Sequence, residues 1–180
     1  MELKKLQAIV DETLIKINEN DVFNFLKIKK RWPHHYPWNQ NTVEILANNK
    51  KLQSPFFDGD GYLNYEKWKR YYDLGFTTII SNVLDLNTDL RSMNKKLTSN
   101  TGLQINGNFY FSLPGQIPSF DYHDHDYDVI VKQIYGISEW VVDNESFELK
   151  PNQSCIIPKT IKHKVVNKKE KKLSLTINLH

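Results

Sequence analysis

The sequence predicts a mainly β protein, an antiparallel barrel or sandwich with helices packed on it, and three observations lead there. From residue 103 onward the chain runs as short segments, at 103–112, 122–134, 138–142, 146–149, 154–157, 163–167 and 172–179. Turn formers punctuate them evenly: Pro114-Gly115, Gly136, Asp143-Asn144, Pro151-Asn152 and Pro158, as in closed or stacked antiparallel sheets. Apolar residues at helical spacing are confined to the first hundred positions, and 180 residues suit one core of ordinary size. We therefore expect one domain over 1–180, with residues 1–100 supplying helices and first strands and residues 101–180 the barrel core.

The elements follow in order. Leu3, Leu6, Ile9, Val10, Leu14 and Ile17 recur at helical spacing, predicting an amphipathic helix over 3–17. Residues 31–38 hold two prolines and three aromatic rings, which reads as an ordered loop laying large side chains on the core. A polar stretch continues to Ser54. Asp58-Gly59-Asp60-Gly61 resembles part of a calcium loop, but Lys67 stands where the bidentate glutamate belongs, so a turn is expected. Residues 64–74 predict a helix stopped by Gly75, residues 77–81 a β-branched strand, and residues 88–98 a second helix with Asn87 as its N-cap.

Composition excludes several classes. Hydrophobic residues are 39% and charged residues 25%, typical of a globular chain. No apolar run approaches the ~20 residues that span a bilayer, and the lone Cys155 forms no internal disulfide, so no membrane association and a cytoplasmic location are expected. The net charge of +3 is slight, and the lysine-rich stretches near 27–31 and 159–172 lack an interleaved aromatic stripe, so nucleic acid is not an expected partner. A small-molecule or peptide substrate is, and a homodimer is compatible with the sequence.

The chemistry concentrates in histidines. His123 and His125 are two apart, and in a strand that period points both imidazoles to one face. His163 follows the turn at 158–162 and can bring a third nitrogen from a neighbouring strand. Neutral imidazoles suit iron, zinc, copper or nickel better than magnesium or calcium. Asp124 and Asp126 have the opposite parity and are expected in solvent.

The pattern around these histidines resembles the two motifs of the cupin superfamily. The first is His123, His125 and, eleven positions after His125, Gly136; the second is Asn152, Pro158, His163 and Asn167, with Asn152 and Thr160 at the motif's two glycine positions. Asparagine at the first tolerates a left-handed turn. The motif's glutamate ligand would fall at Val129, which excludes a four-ligand cupin site. Residues 76–180 further resemble the JmjC-type oxygenases, in particular the ribosomal oxygenases, through the stretches 108–115 and 128–136 followed by Trp140.

That resemblance implies a double-stranded β-helix, the cupin or jelly-roll barrel, with a metal held by His123, His125 and His163. It implies Fe(II), with Zn, Ni, Mn or Cu as other occupants, and 2-oxoglutarate as a co-substrate lined by Asn108, Tyr110 and Ser112. Two departures stand out. The family's aspartate ligand falls on His125, and the family's lysine for the distal carboxylate of 2-oxoglutarate falls on Ser138, the fourth expected lining residue. The leading expectation is a non-haem iron oxygenase, using 2-oxoglutarate or chelating its substrate directly; the other is a non-catalytic cupin that binds or senses a small ligand.

Overall fold

A computed structural model describes residues 3–28, 43–47, 50–52, 62–114, 119–167 and 169–180. The loop at 31–38 and the turn at 58–61 lie outside them. Among the described residues, four helices and ten strands run α1 (Leu3–Glu12), α2 (Glu19–Ile28), β1 (Val43–Ala47), β2 (Lys50–Leu52), α3 (Tyr65–Asp73), β3 (Thr77–Ser81), α4 (Thr88–Thr101), β4 (Ile105–Ser112), β5 (Asp128–Tyr135), β6 (Ser138–Val142), β7 (Glu145–Leu149), β8 (Ser154–Ile157), β9 (His163–Asn167) and β10 (Lys172–Leu179). They form a seven-stranded sheet, β2-β1-β3-β4-β10-β5-β8, and a three-stranded sheet, β7-β6-β9. Every pairing within them is antiparallel.

The first helix is shorter than its apolar spacing predicts. It stops at Glu12, and a new helix opens at Asn18, whose Oδ1 accepts from Asp21 N at 3.1 Å while Asp21 Oδ2 accepts from Asn18 N at 2.8 Å. This reciprocal cap satisfies two backbone donors and gives the chain a reason to restart. Ile15 and Ile17 are buried between the two helices, whereas Leu14 is exposed. The polar stretch before Ser54 contains the hairpin β1–β2, with β1 buried against β3. The expected cap at Asn87 holds, its Oδ1 accepting from Leu90 N at 2.9 Å; Asn64, not foreseen as a cap, plays the same part for α3, its Oδ1 accepting from Lys67 N at 3.0 Å. No helix among the described residues is long and apolar enough to cross a membrane.

Strand alternation sorts the large sheet into two faces. Leu173, Leu175, Ile177 and Leu179 of β10 join Phe109 and Phe111 of β4 and Ile130 and Ile134 of β5 in one core with the helices. There Tyr72 stacks on Trp68 and on Phe111, with ring centroids 5.2 and 4.6 Å apart. Lys132 sits in the same layer, fully buried, donating to Val10 O at 2.7 Å, where an ammonium complements the carbonyl end of α1. The opposite face of the sheet looks toward β6 and β9, and Val129, Val131, Ile157, Trp140 and Leu149 form a second, smaller apolar cluster on that side.

Gly136 makes the turn between β5 and β6 at φ +72°, and an added Cβ would lie 2.2 Å from Lys171 O and 2.9 Å from Lys172 Cα. Gly75 also has a positive φ, +88°, but open space around it. Gly136→Ala should therefore cost more than about 2 kcal/mol, the left-handed penalty plus a backbone collision, and Gly75→Ala only about 1 kcal/mol. Urea midpoints of the two variants measure the difference.

Candidate metal centre

The expected strand over 122–134 begins only at Asp128. Upstream, Asp121, Asp124 and Asp126 disfavour a strand, and among the described residues the segment has one ladder contact, an antiparallel bridge between His123 and His163. That bridge is a reciprocal backbone pair, His163 N to His123 O at 2.9 Å and His123 N to His163 O at 3.2 Å. Thr160 N donates to His125 O at 2.7 Å. The histidines thus converge because two connecting segments are stitched together, not because of the strand period. Asn152 and Thr160, at the two glycine positions of the motif, both have left-handed backbones, φ 65° and 66°.

The potential ligand atoms of His123, His125 and His163 all lie within 4.8 Å of one another. Ring centroids are 4.3 Å apart for His123 and His163, 5.1 Å for His123 and His125, and 5.2 Å for His125 and His163. His123 Nδ1 meets Asp121 O at 2.9 Å and His163 Nδ1 meets Ile161 O at 3.0 Å. A carbonyl only accepts, so each Nδ1 carries a proton and each Nε2 keeps its lone pair for a metal. His125 is set by its ring, stacked on Tyr127 at 4.9 Å and 8°. Asp124 and Asp126 are exposed, and Asp128 Oδ1 accepts from Lys159 N at 2.9 Å.

His163 is buried, and burial pushes its pKa from the ordinary 6.5 down to about 4, with repulsion from His123 and His125 adding and the Ile161 carbonyl opposing. It is a neutral ligand at pH 7. The donor set of three neutral imidazoles fits a borderline transition ion and leaves that ion's charge uncompensated by any of the three ligands.

The histidines open into a cavity of about 670 Å³. One wall is apolar, built from Val129, Val131, Ile157, Trp140 and Val165; the other is the polar face of β3, β4 and β10. Val129 holds the position of the cupin glutamate and brings no donor. Asn108 and Tyr110 line the polar wall, and burial pushes the Tyr110 phenol above its usual range. Ser112, next on the same face of β4, is fully buried and not a lining residue. Ser138 is fully buried as well and off the lining: its Oγ donates to Gln133 Oε1 and accepts from Trp140 Nε1, both at 2.8 Å. Ser138, bonded to Gln133, stands where the resemblance sets a lysine.

Three further lining residues were not anticipated: Glu44, Lys172 and His180. For Lys172 a signal existed, since β10 reads Lys-Leu-Ser-Leu-Thr-Ile-Asn-Leu. Such alternation on a strand buried along nearly its whole length means a polar interior face.

No family model matches the chain, and neither does any curated protein sequence. Solved structures do. YcfD, a ribosomal oxygenase from Escherichia coli, superposes over 94% of this chain and 45% of its own at a TM-score of 0.62 and 14% identity in complex with cobalt and succinic acid, and at 0.63 with cobalt and 2-oxoglutarate. A cupin superfamily protein from Desulfitobacterium hafniense matches 42% of this chain and 67% of its own, with 17% identity and a TM-score of 0.38. The likeness to YcfD is one of fold, antiparallel sheets with helices packed on them, and in this chain three histidines are grouped as a potential metal site. The chain spans less than half the length of YcfD.

In the metal-free protein the depressed His163 pKa has a definite sign. A folded-state value below the unfolded one means that stability is full above about 6.5 and is lost as pH falls toward about 4. Imidazole proton shifts should show His163 titrating near 4, and thermal scans between pH 7 and 4 should show the metal-free protein weakening across that window.

Proposed function

We propose that this chain is a metal-dependent oxygenase of the JmjC-like cupin type, with Fe(II) held by the Nε2 atoms of His123, His125 and His163. The observation that carries the reading is the convergence of three imidazoles, two with tautomers fixed for ligation, on a cavity large enough for an organic ligand. YcfD, with cobalt and 2-oxoglutarate in the same fold, supports it by analogy. An Fe(II) ion at this position supplies activation of O₂. The chain's own part is to leave ligand positions open, to exclude water with Trp140, Val165, Ile157, Val129 and Val131, and to orient a small-molecule or peptide substrate with Asn108 and Tyr110.

A second reading, a non-catalytic cupin that binds or senses a small ligand, is favoured by the absence of a carboxylate among the three grouped residues and by the committed hydroxyl of Ser138. Both readings require the metal. Protein loaded anaerobically with Fe(II) should hold close to one ion per chain by elemental analysis, and His123→Ala with His163→Ala should abolish it. Full occupancy in that double variant would end the assignment. His125→Ala should weaken the ion by more than the 10 to 100-fold typical of groups that merely support ligands. Oxygen uptake by the Fe(II) form across a panel of 2-oxo acids separates the readings: uptake above the metal-free control is expected of the oxygenase, and none of the binder.

A further inference from the structure

His125 differs from the other two imidazoles in how its ring is held. His123 and His163 each point Nδ1 at the carbonyl two residues back in their own segment, a restraint that the local chain supplies. His125 touches those two rings at centroid distances of 5.1 and 5.2 Å and lies flat on Tyr127, 4.9 Å away and within 8° of parallel. A face-on partner restricts the tilt of a ring, and stacked rings attract by more than their buried area alone. Both residues precede β5, which opens at Asp128. The stack by itself therefore joins two parts of one connecting segment and anchors neither to a sheet.

The anchor comes from the large sheet. Asp128 pairs with Leu179 in the β5–β10 ladder, and one step beyond that register Tyr127 faces His180. Their rings meet as a cross-strand pair, with centroids 4.3 Å apart at 52°. His180 is itself fixed twice: its backbone N–H donates to Gln104 O at 3.0 Å, and its Nε2 meets Asn106 Nδ2 at 2.9 Å. Asn178 Nδ2 donates to Asn106 Oδ1 at 2.7 Å. With its oxygen claimed by Asn178, Asn106 presents its amide nitrogen to His180; that nitrogen only donates, so His180 Nε2 accepts. Contacts thus run without a gap from Asn106 and Asn178, opposite each other in the β4–β10 ladder, through His180 and Tyr127 to His125.

From this geometry we infer that Tyr127 is a positioning residue for His125, braced from behind by His180 and Asn106, so that the rigidity of the β4–β10 ladder reaches a ligand carried on a connecting segment. The strut needs the ring of Tyr127 and not its hydroxyl, which sets Tyr127→Phe apart from Tyr127→Leu. The role toward a metal rests on the proposed metal centre; the hold on the His125 ring does not.

Two arms test these separately. In metal-free protein the His125 ring protons, assigned with His125→Ala, should resonate upfield, because they lie over the face of the phenol. Tyr127→Leu should move them toward the position of a solvated histidine while the His163 ring signals stay in place, which reports an intact fold. Tyr127→Phe should keep them, and His180→Ala, a change at an exposed residue, should move them part of the way. In the second arm Co(II) is titrated and followed by its visible absorption. Tyr127→Leu should bind it about tenfold more weakly and with altered bands, the lower end of the range for groups that support ligands, and Tyr127→Phe should match the wild type. His125 signals unmoved in Tyr127→Leu or His180→Ala, or displaced in Tyr127→Phe, overturn the strut; should Tyr127→Leu not fold, His180→Ala decides alone. A wild type that takes up no Co(II) removes the metal reading and leaves the strut to be decided by the ring signals.

Discussion

The ladder β4-β10-β5 is buried on both faces, and the rest of the molecule is arranged around that constraint. Backbone groups in the ladder pair with one another, so its energetics are decided by the side chains. On one face Leu173, Leu175, Ile177, Phe109 and Phe111 meet the helices, each worth roughly 1.5–3 kcal/mol when fully buried. On the other, Ser174, Thr176, Asn178, Asn108 and Tyr110 line the cavity. A register slip by one residue would exchange the two sets, burying hydroxyls and amides among leucines, so the same alternation that fixes the fold also fixes which groups face a ligand.

Much of this was legible before any coordinates. The strands from 138 to 179, the cap at Asn87 and the turn at Gly136 rest on local signals, namely alternation, a side-chain acceptor and a left-handed glycine. What escaped the sequence has non-local causes. The break between α1 and α2 depends on a two-residue reciprocal cap inside a pattern that still scans as one helix. The hairpin β1–β2 has little alternation of its own and is specified by pairing with β3. At the site, the three histidines were readable from motif spacing, whereas Ser138 and Ser112 share the parity of lining residues but are withdrawn from the cavity. For Ser138, parity cannot reveal that Gln133 and Trp140 claim its hydroxyl.

The two departures from the oxygenase pattern look different in three dimensions. With His125 at the position of the family's aspartate, an ion held by the three histidines would meet a ligand set more positive by one charge, which would raise the site's demand for an anion. Ser138 at the lysine position makes that corner neutral, with Gln133 beside it: Gln133 Oε1 accepts from both Ser138 and Ser174, and Gln133 Nε2 donates to Tyr135 O at 2.7 Å. A cation added there would break up this satisfied network and leave buried polar groups unpaired, a cost of ~1–3 kcal/mol per group. The corner is therefore a finished polar structure.

Thr160 shows how tightly the histidine cluster is drawn together. A β-branched residue at φ 66° pays roughly 1–2 kcal/mol for the left-handed region, where a glycine would pay nothing of the kind. Its N–H donates to His125 O at 2.7 Å, and a backbone hydrogen bond returns about 1 kcal/mol net. The two terms nearly cancel, so that contact alone cannot hold the turn. The remainder comes from the flanking restraints: the Lys159 N–H on Asp128 Oδ1, Ile161 N on Pro158 O, and the His123–His163 pair just beyond. Local strain is thus supported by the same stitches that position the imidazoles, and loosening any one of them releases the turn and the His125 backbone together.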